Sequence, residues 1–417
     1  MTPCRPLRAL LLLVVSLCCT SCIAWRFIGH GAEGIDDYET FPTDTVHRGT
    51  DRSFRFVEEH LPMLDTLRLP THAGREPMTL AETIDALASS KRASGGLVVV
   101  RNDTILFERY CGAIRRESHS TIFSISKSIT SLLVGIALDK GVIRSVDDPV
   151  TDYLPELKKR DPHFARLTVA HLLDMRSGIR FEENYGANPF SRMARLHYGR
   201  NIPRQLRRLK FDAEPGAHFR YSSMATALLG VLLERAAGRP YADLLSEWVW
   251  QPLGMERDAL VNLDDRHHRT PKAYGGISTN CRDLARFGRL YVHDGVWEGR
   301  RIVDSAWVAR SLSPERAARN DYYTNSWRSV GWGLGRYDDP NEVMTRIVAA
   351  GYDPARLRTV YEGGEWRISA MSDRFYALGV GGQVVYLCPE KKIVAVFLGD
   401  NRVCEYQFLF DDLAAYL

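Results

Sequence analysis

The chain has 417 residues, 45% hydrophobic and 25% charged, which excludes a disordered chain, a collagen-like chain and a multi-span membrane protein. The formal net charge is +4, and two of those positives, Arg5 and Arg8, lie in the first 22 residues, leaving 53 basic against 51 acidic side chains for the rest. That balance gives no electrostatic case for nucleic acid, and short basic clusters such as Arg204 to Lys210 read as solvated helix surface. Length alone predicts two to three domains, or one large α/β domain with an inserted lobe.

Arg5 and Arg8 precede the apolar run Ala9–Cys19, a basic stretch followed by a hydrophobic one, which is the pattern of an export signal. The uncharged stretch runs on to Trp25 and would also suit a signal anchor. Cys19-Thr20-Ser21-Cys22 resembles a bacterial lipobox with Cys22 as the lipidated residue, although Cys19 stands where that motif usually has Leu. Residues 1–22 are therefore expected to be a signal peptide of lipoprotein type, and the protein to be exported, periplasmic or anchored to a membrane through lipid. Of eight cysteines, four belong to this segment. Cys111, Cys281, Cys388 and Cys404 show no CxxC spacing, so neither a zinc knuckle nor a thioredoxin-like site is indicated. An oxidising compartment allows a bridge among them, with three full pairings open.

Residues 23–78 are rich in Gly, Pro, Asp and Thr and read as an irregular N-terminal extension, either wrapping the domain or tethering it. A short helix is predicted over Ala81–Ala88. Gly96–Arg101 and Thr104–Tyr110 are apolar strands joined by Asn102-Asp103, a hairpin. From Phe123 the period turns helical: Ile125, Ile129, Leu132, Leu133 and Ile136 share one face, and Gly141 ends the helix. Helical patterns continue over Thr168–Asp174, Ala225–Ala237, Tyr241–Trp250 and Arg282–His293. Strands return at Val384–Leu387 and Ile393–Leu398, and Glu405–Leu417 is a closing helix. Strands at both ends and helices between predict an α+β fold: an antiparallel sheet formed from both chain ends, with an inserted all-helical lobe over about 142–310.

Three segments carry chemistry. Ser124-Ile125-Ser126-Lys127 sets Ser124 and Lys127 one helical turn apart on one side. A serine hydroxyl needs a base within hydrogen-bond reach to become a nucleophile, and a lysine can serve if desolvation lowers its pKa. The helix start also favours a developing negative charge. Ser124 and Lys127 alone are weak, because such a pair arises by chance. Tyr221-Ser222-Ser223 follows the turn Glu214-Pro215-Gly216 and precedes a helix. A tyrosine beside an ammonium can pass a proton; the plain alternative is a half-buried ring with serines that cap the next helix. Gly379-Val380-Gly381-Gly382-Gln383 enters the strand Val384–Leu387, where glycines would let another backbone or a substrate approach closely; a glycine hairpin is the alternative.

Taken in order, these segments resemble the serine β-lactamase and penicillin-binding-protein superfamily, in its class C-like branch. Asp147–Pro155, Leu167–Ile179, the block Pro215-Gly216, Tyr221-Ser222-Ser223 and Leu228-Leu229-Gly230, then Pro252–Met255 and Asp283–Gly288 carry the resemblance across roughly 90–403. Within the branch the chain looks most similar to the 6-aminohexanoate-dimer hydrolase and esterase-like group, on Phe375–Gln383, on Glu182-Glu183-Asn184-Tyr185 with Asn188-Pro189, and on Tyr38–Pro42. The departures are Ser223 where the family usually has Asn, Gly381 where relatives often carry His, and no lysine at the third motif.

The resemblance implies an exported serine hydrolase of residues 79–417 that needs no cofactor and no metal. Ser124 would attack a small-molecule amide or ester, with Lys127 and Tyr221 as general base and acid. The oxyanion would sit between the N–H groups of Ser124 and of Val380 or a neighbour, Gly379 or Gly381, and Ser223 and Tyr185 would orient the substrate. Without a third-motif lysine, efficient β-lactam hydrolysis is not expected. Residues 338–372 read as an insertion that could cap the cleft. The rivals are a D,D-peptidase or transpeptidase of the cell wall, and a catalytically silent module binding peptidoglycan or a partner. His267-His268 are adjacent and cannot share a helix face as metalloprotease histidines do, and no G-x-S-x-G elbow is present.

Overall fold

The computed structural model describes Gly29 and residues 33–50, 54–88, 94–185, 188, 190–400 and 403–417. The segment expected to be an export signal, with Cys22, lies outside the described residues, as does Pro189. The extension expected to be irregular is bound into the body. Thr43–Val46 (β1) pairs antiparallel with Ala259–Asn262, and Val57–Glu58 (β2) adds to a second sheet in parallel. Leu80–Ala88 (α1) follows. Gly95–Arg101 (β3) and Thr104–Cys111 (β4) form the predicted hairpin, with Asn102 and Asp103 both at positive φ, as a two-residue turn between twisted strands requires.

Ser120–Thr121 (β5) leads into Ile125–Asp139 (α2). The helical region then holds Arg192–Tyr198 (α3), Ile202–Leu206 (α4) and Ser223–Ala237 (α5). The helix expected over Tyr241–Trp250 is α-helical over Tyr241–Leu245 (α6) and continues as a π turn over Ser246–Trp250. Ala259–Asn262 (β6), Ile277–Thr279 (β7) and Cys281–Val292 (α7) come next. The C-terminal part comprises Tyr323–Thr324 (β8), Trp327–Tyr337 (β9), Pro340–Ala349 (α8), Leu357–Glu362 (β10), Glu365–Gly379 (β11), Gln383–Cys388 (β12), Ile393–Gly399 (β13) and Tyr406–Tyr416 (α9).

The large sheet runs β8-β9-β11-β12-β13-β3-β4-β2, with β10 also on β11. β3 and β13 lie side by side from Gly95 opposite Gly399 to Arg101 opposite Ile393, so strands from the two chain ends meet in mid-sheet. Both faces are covered, which is why these strands read as unbroken apolar runs. Val98 and Val100 face one core while Leu97 and Val99 face the other. α7 covers the first face; α1 and α9 cover the second. The sequence reading missed the small sheet β1-β6-β7-β5, because its strands are two to four residues long and show no alternation.

α2 has no solvent face: every residue from Ile125 to Ala137 is buried, and its polar side bonds in part internally, Ser128 Oγ donating to Ser326 O (2.6 Å) and Thr130 Oγ1 to Ala273 O (2.9 Å), while Ser131 Oγ has no hydrogen-bond partner among the described residues. Segment 338–372, read as an insertion, holds α8, β10 and the start of β11. It is anchored to 315–323, where Arg356 pairs with Glu315 and Tyr322 donates to Ser369 (2.9 Å). Cys111, Cys281, Cys388 and Cys404 are all buried and none is in a disulfide. Among the described residues no helix is long and apolar enough to cross a membrane.

Candidate active site

The small sheet sets the approach to Ser124. Thr121 N–H donates to Ile35 O (2.8 Å) and Ile122 N–H to Ile277 O (2.9 Å), so β5 arrives in a fixed register. The chain then turns sharply through Phe123 at φ 46°, a conformation that a bulky residue seldom adopts and that costs roughly 1–3 kcal/mol. Ser124 therefore stands at the first turn of α2, and its hydroxyl makes no capping bond to the helix. Lys127 Nζ donates to Ser124 Oγ at 2.9 Å instead.

Lys127 is 1% exposed. Its second acceptor is the Tyr274 carbonyl at 2.8 Å, on the turn that enters β7, and Nζ lies 5.0 Å from the centre of the Tyr221 ring. No carboxylate among the described residues lies within ion-pair distance of it. This cation is held by a hydroxyl, a carbonyl and an aromatic face.

Tyr221 arrives on the far side through two paired segments. Gly178 is at φ +68°, and a Cβ there would lie 2.2 Å from Ala213 O, so only glycine lets 175–180 pack backbone to backbone on 210–220. Arg220 N–H donates to Met175 O (2.8 Å) and Arg180 N–H to Lys210 O (2.8 Å). Tyr221 then packs edge-on against Tyr323 (5.9 Å), whose phenol burial pushes well above its ordinary range, with Tyr221 adding to the shift. The Arg328 guanidinium stands 5.3 Å from the Tyr221 ring and 5.4 Å from that of Tyr323.

Ser222 is the N-cap of α5, accepting from Ala225 N–H, so the plain capping reading holds for that residue. Ser223 is buried at the first helical position, and its N–H is bound by the Glu183 carboxylate. Tyr185 is 39% exposed at the rim, yet burial of its phenol end, with the charge of Glu183 and with Tyr221, pushes it well above the ordinary tyrosine range. It stays protonated and able to donate.

The third motif leads into its expected strand as the turn of a glycine hairpin: Gly379 closes β11, Val380–Gly382 turn, with Gly381 and Gly382 both at φ 84°, and Gln383 opens β12 opposite Gly379. A Cβ on Gly379 would lie 2.6 Å from Ile122 O, so this glycine lets the strand end touch the backbone two residues before Ser124. Gln383 Nε2 donates to Thr121 O (2.8 Å) and fixes that contact. The N–H groups of Ser124 and Val380 have no acceptor among the described residues. Gly381 is not brought to Ser124; a Cβ there would face Gly399 O.

The structure thus gathers Ser124, Lys127 and Tyr221, sets Gly379, with Val380 next in the chain, against the backbone that leads into Ser124, and places Ser223 and Tyr185 beside Tyr221. Sequence reasoning missed the Tyr274 carbonyl, Arg328 and Tyr323. Tyr274 had only the following Gly275-Gly276 as a turn signal, and a backbone acceptor has no side-chain signature. Arg328 is one arginine among many until β9 pairs it with Tyr376 on the third-motif strand. Among the described residues no three His, Cys, Asp or Glu side chains gather as a metal ion would require.

The beta-lactamase family model matches residues 80–401. The chain is 31% identical to a 6-aminohexanoate-dimer hydrolase of Paenarthrobacter ureafaciens, over 63% of this chain and 74% of the relative. It is 30% identical to the esterase EstB of Burkholderia gladioli, over 69% of this chain and 74% of the relative. A solved structure from Bacillus anthracis, assigned as a 6-aminohexanoate-dimer hydrolase, superposes with a TM-score of 0.71 at 22% identity, covering 92% of each chain, which speaks for the fold. The chain belongs to the beta-lactamase family of serine hydrolases.

Proposed function

We propose that the protein hydrolyses an amide or ester bond through an acyl-enzyme on Ser124. The observation that carries this reading is the 2.9 Å contact of Lys127 Nζ with Ser124 Oγ, in a buried setting that Tyr221 shares. The reactive form of the Lys127–Tyr221 pair is one proton short of an ammonium beside a phenol, so the pair takes the Ser124 proton as Oγ adds to the substrate carbonyl. The oxyanion lies between the N–H groups of Ser124 and Val380, both free to donate; donors of this kind are worth about 3–4 kcal/mol each. Collapse expels the amine or alcohol, which takes the proton held by the pair. Water then attacks the acyl group and gives up its proton to the same pair, and the acyl–Oγ bond breaks as the pair returns that proton to Ser124 Oγ. Ser223 and Tyr185 orient the substrate at the rim.

The names of the two relatives, a dimer hydrolase and an esterase, favour a small amide or ester over a lactam. So does the absence of lysine from the third motif, which leaves Gly379 and Val380 at its centre. The basic and apolar N-terminus supports export with a lipid anchor on Cys22; a Cys22→Ala chain that still takes up labelled palmitate would remove that part.

The test is hydrolysis of p-nitrophenyl butyrate beside Ser124→Ala, with intact mass. A burst and an acyl adduct on the wild type alone are expected. Turnover retained by Ser124→Ala would discard the mechanism. Penicillin and a D-Ala-D-Ala peptide in the same panel distinguish a cell-wall peptidase.

A further inference from the structure

Beside the site lies a concavity of about 550 Å³ whose charged lining is entirely basic. Arg180 and Lys210 enter it from the two segments that deliver Tyr221. Arg192 and Arg195 come from α3, one turn apart. Arg200, Arg204 and Arg208 recur every fourth residue through α4 and its flanks, so they share one side. α3 and α4 are locked together: Gln205 Nε2 donates to Arg195 O (2.9 Å), and Asn201 caps α4 by accepting from Arg204 N–H (2.7 Å).

None of these seven cations has a carboxylate within ion-pair distance among the described residues. Arg192 donates to a backbone carbonyl, that of Arg180. Neighbouring arginines behave differently: Arg166 is paired with Glu214 and Arg220 with Asp212. Like charges gathered within a Debye length of roughly 8 Å repel, and a bound anion relieves that repulsion. Guanidinium groups bind phosphate in two-pronged fashion. The volume is that of a small-molecule pocket, within the usual range of about 300–1,000 Å³.

The concavity adjoins the side of the site that Tyr221 forms. Arg180 and Phe181 also line a cavity of about 380 Å³ that reaches Tyr221, with Glu182, Glu183 and Asp212 on its wall beyond the basin. Met224, the residue after Ser223, forms part of the basic wall. We propose that this basin holds a multivalent phosphate-type group on the substrate whose amide or ester is cleaved at Ser124. This rests on the acyl-enzyme reading of Ser124 and adds the substrate's charge to it. One negative charge would leave six of the seven cations unrelieved, so the group carries at least two.

The experiment uses the full chain and two variants on exposed side chains, Arg204→Glu with Arg208→Glu, and Arg200→Gln with Arg204→Gln and Arg208→Gln. Thermal melts confirm that each folds. Calorimetric titration with inorganic tripolyphosphate at low salt should show binding that weakens about tenfold or more in either variant, and likewise when salt is raised until the Debye length falls to about 3 Å. In parallel, kcat/KM is measured for p-nitrophenyl butyrate and p-nitrophenyl 4-phosphonobutyrate. The variants should lose about tenfold on the phosphonate, the free-energy equivalent of about 1.4 kcal/mol, and nothing on the neutral ester. No tripolyphosphate binding, or the same ratio of the two esters in wild type and variants, overturns the proposal while ester turnover leaves the Ser124 reading intact. If neither ester is cleaved and Ser124 takes no adduct, that reading fails. Tripolyphosphate binding that the variants abolish then still upholds the anion site, and its absence overturns it.

Discussion

α2 and α7 both bury cations, and they satisfy them in opposite ways. On α7, Arg282, Arg286 and Arg289 are 2%, 1% and 7% exposed, and each meets carboxylates: Arg282 meets Glu108 and Glu58, Arg286 meets Glu256 at 3.0 Å, and Arg289 meets Asp103 at 2.5 Å. On α2, Lys127 is as deeply buried, yet its partners are a hydroxyl, a carbonyl and an aromatic ring. A cation matched by a fixed anion is locked in one protonation state. Burial works against Asp103 ionising, but hydrogen bonds from His293 and Arg289 outweigh it and hold that carboxyl well below the usual range. Lys127 has no fixed anion to hold it among the described residues, so its Nζ is left directed at Ser124 Oγ. α7 is scaffold, while α2 carries the proposed nucleophile and base.

The sharpest way to break this contrast is Lys127→Met. Turnover of a p-nitrophenyl ester should fall about 10²–10⁴-fold, the range of a lost general base, with little change in the melting temperature. Wild-type rates would put Lys127 with the scaffold.

The converse substitution is Arg282→Met. It leaves Glu108 and its hydrogen-bonded Tyr110 without their cation, and breaking a buried pair from one side costs about 3–5 kcal/mol. Denaturant titration should show that loss, while kcat of the folded fraction stays near wild type. Adding Glu108→Gln should restore part of it; an unrecovered double variant would mean that lost packing, not the stranded charge, dominates.

Tyr221→Phe tests whether the ring against Lys127 only packs or also passes a proton. A kcat loss of about 10²-fold or more, with KM changed far less, is expected of proton transfer; equal kcat would leave the ring as packing.

The smallest effect concerns a buried acid without a cation. Glu234 on α5 accepts from Tyr241 N–H (2.9 Å), and burial pushes its carboxyl up to about 7. A carboxyl raised in the folded state contributes stability in full below its unfolded value near 4.5, and loses that contribution as pH climbs through about 7. Glu234→Gln should therefore flatten the fall in stability between those pH values and gain up to about 3 kcal/mol at pH 8. An unchanged pH profile would show that Glu234 ionises freely in the folded protein.

Much of the fold was legible. The hairpin at Asn102-Asp103, the helix behind Ser124, its end at Gly141 and the meeting of both chain ends in one sheet all rest on short-range patterns. The strands of the small sheet were not legible, since two residues such as Ser120 and Thr121 carry no periodicity and gain their pairing only from Ile277 and its neighbours. Of the site, Ser124, Lys127 and Tyr221 were readable because each sits in a local motif. Arg328 and the Tyr274 carbonyl were not, since their roles come from neighbours about a hundred residues or more away in the chain. The cluster Arg204 to Lys210 was read as solvated surface, and in composition it is. What that reading could not see is that Arg180, Arg192 and Arg195 fold round to face it with no acid between them.

The sequence by itself determined which atoms can react and which segments alternate or turn, because those depend on residue type and on spacing within a helical turn or a strand. The tertiary structure alone decided which charges are neutralised. Attraction between ionic groups depends on distance and burial, and neither is written along the chain: Arg282 and Arg204 are both helical arginines, one sealed against Glu108, the other open in a basin of its own sign.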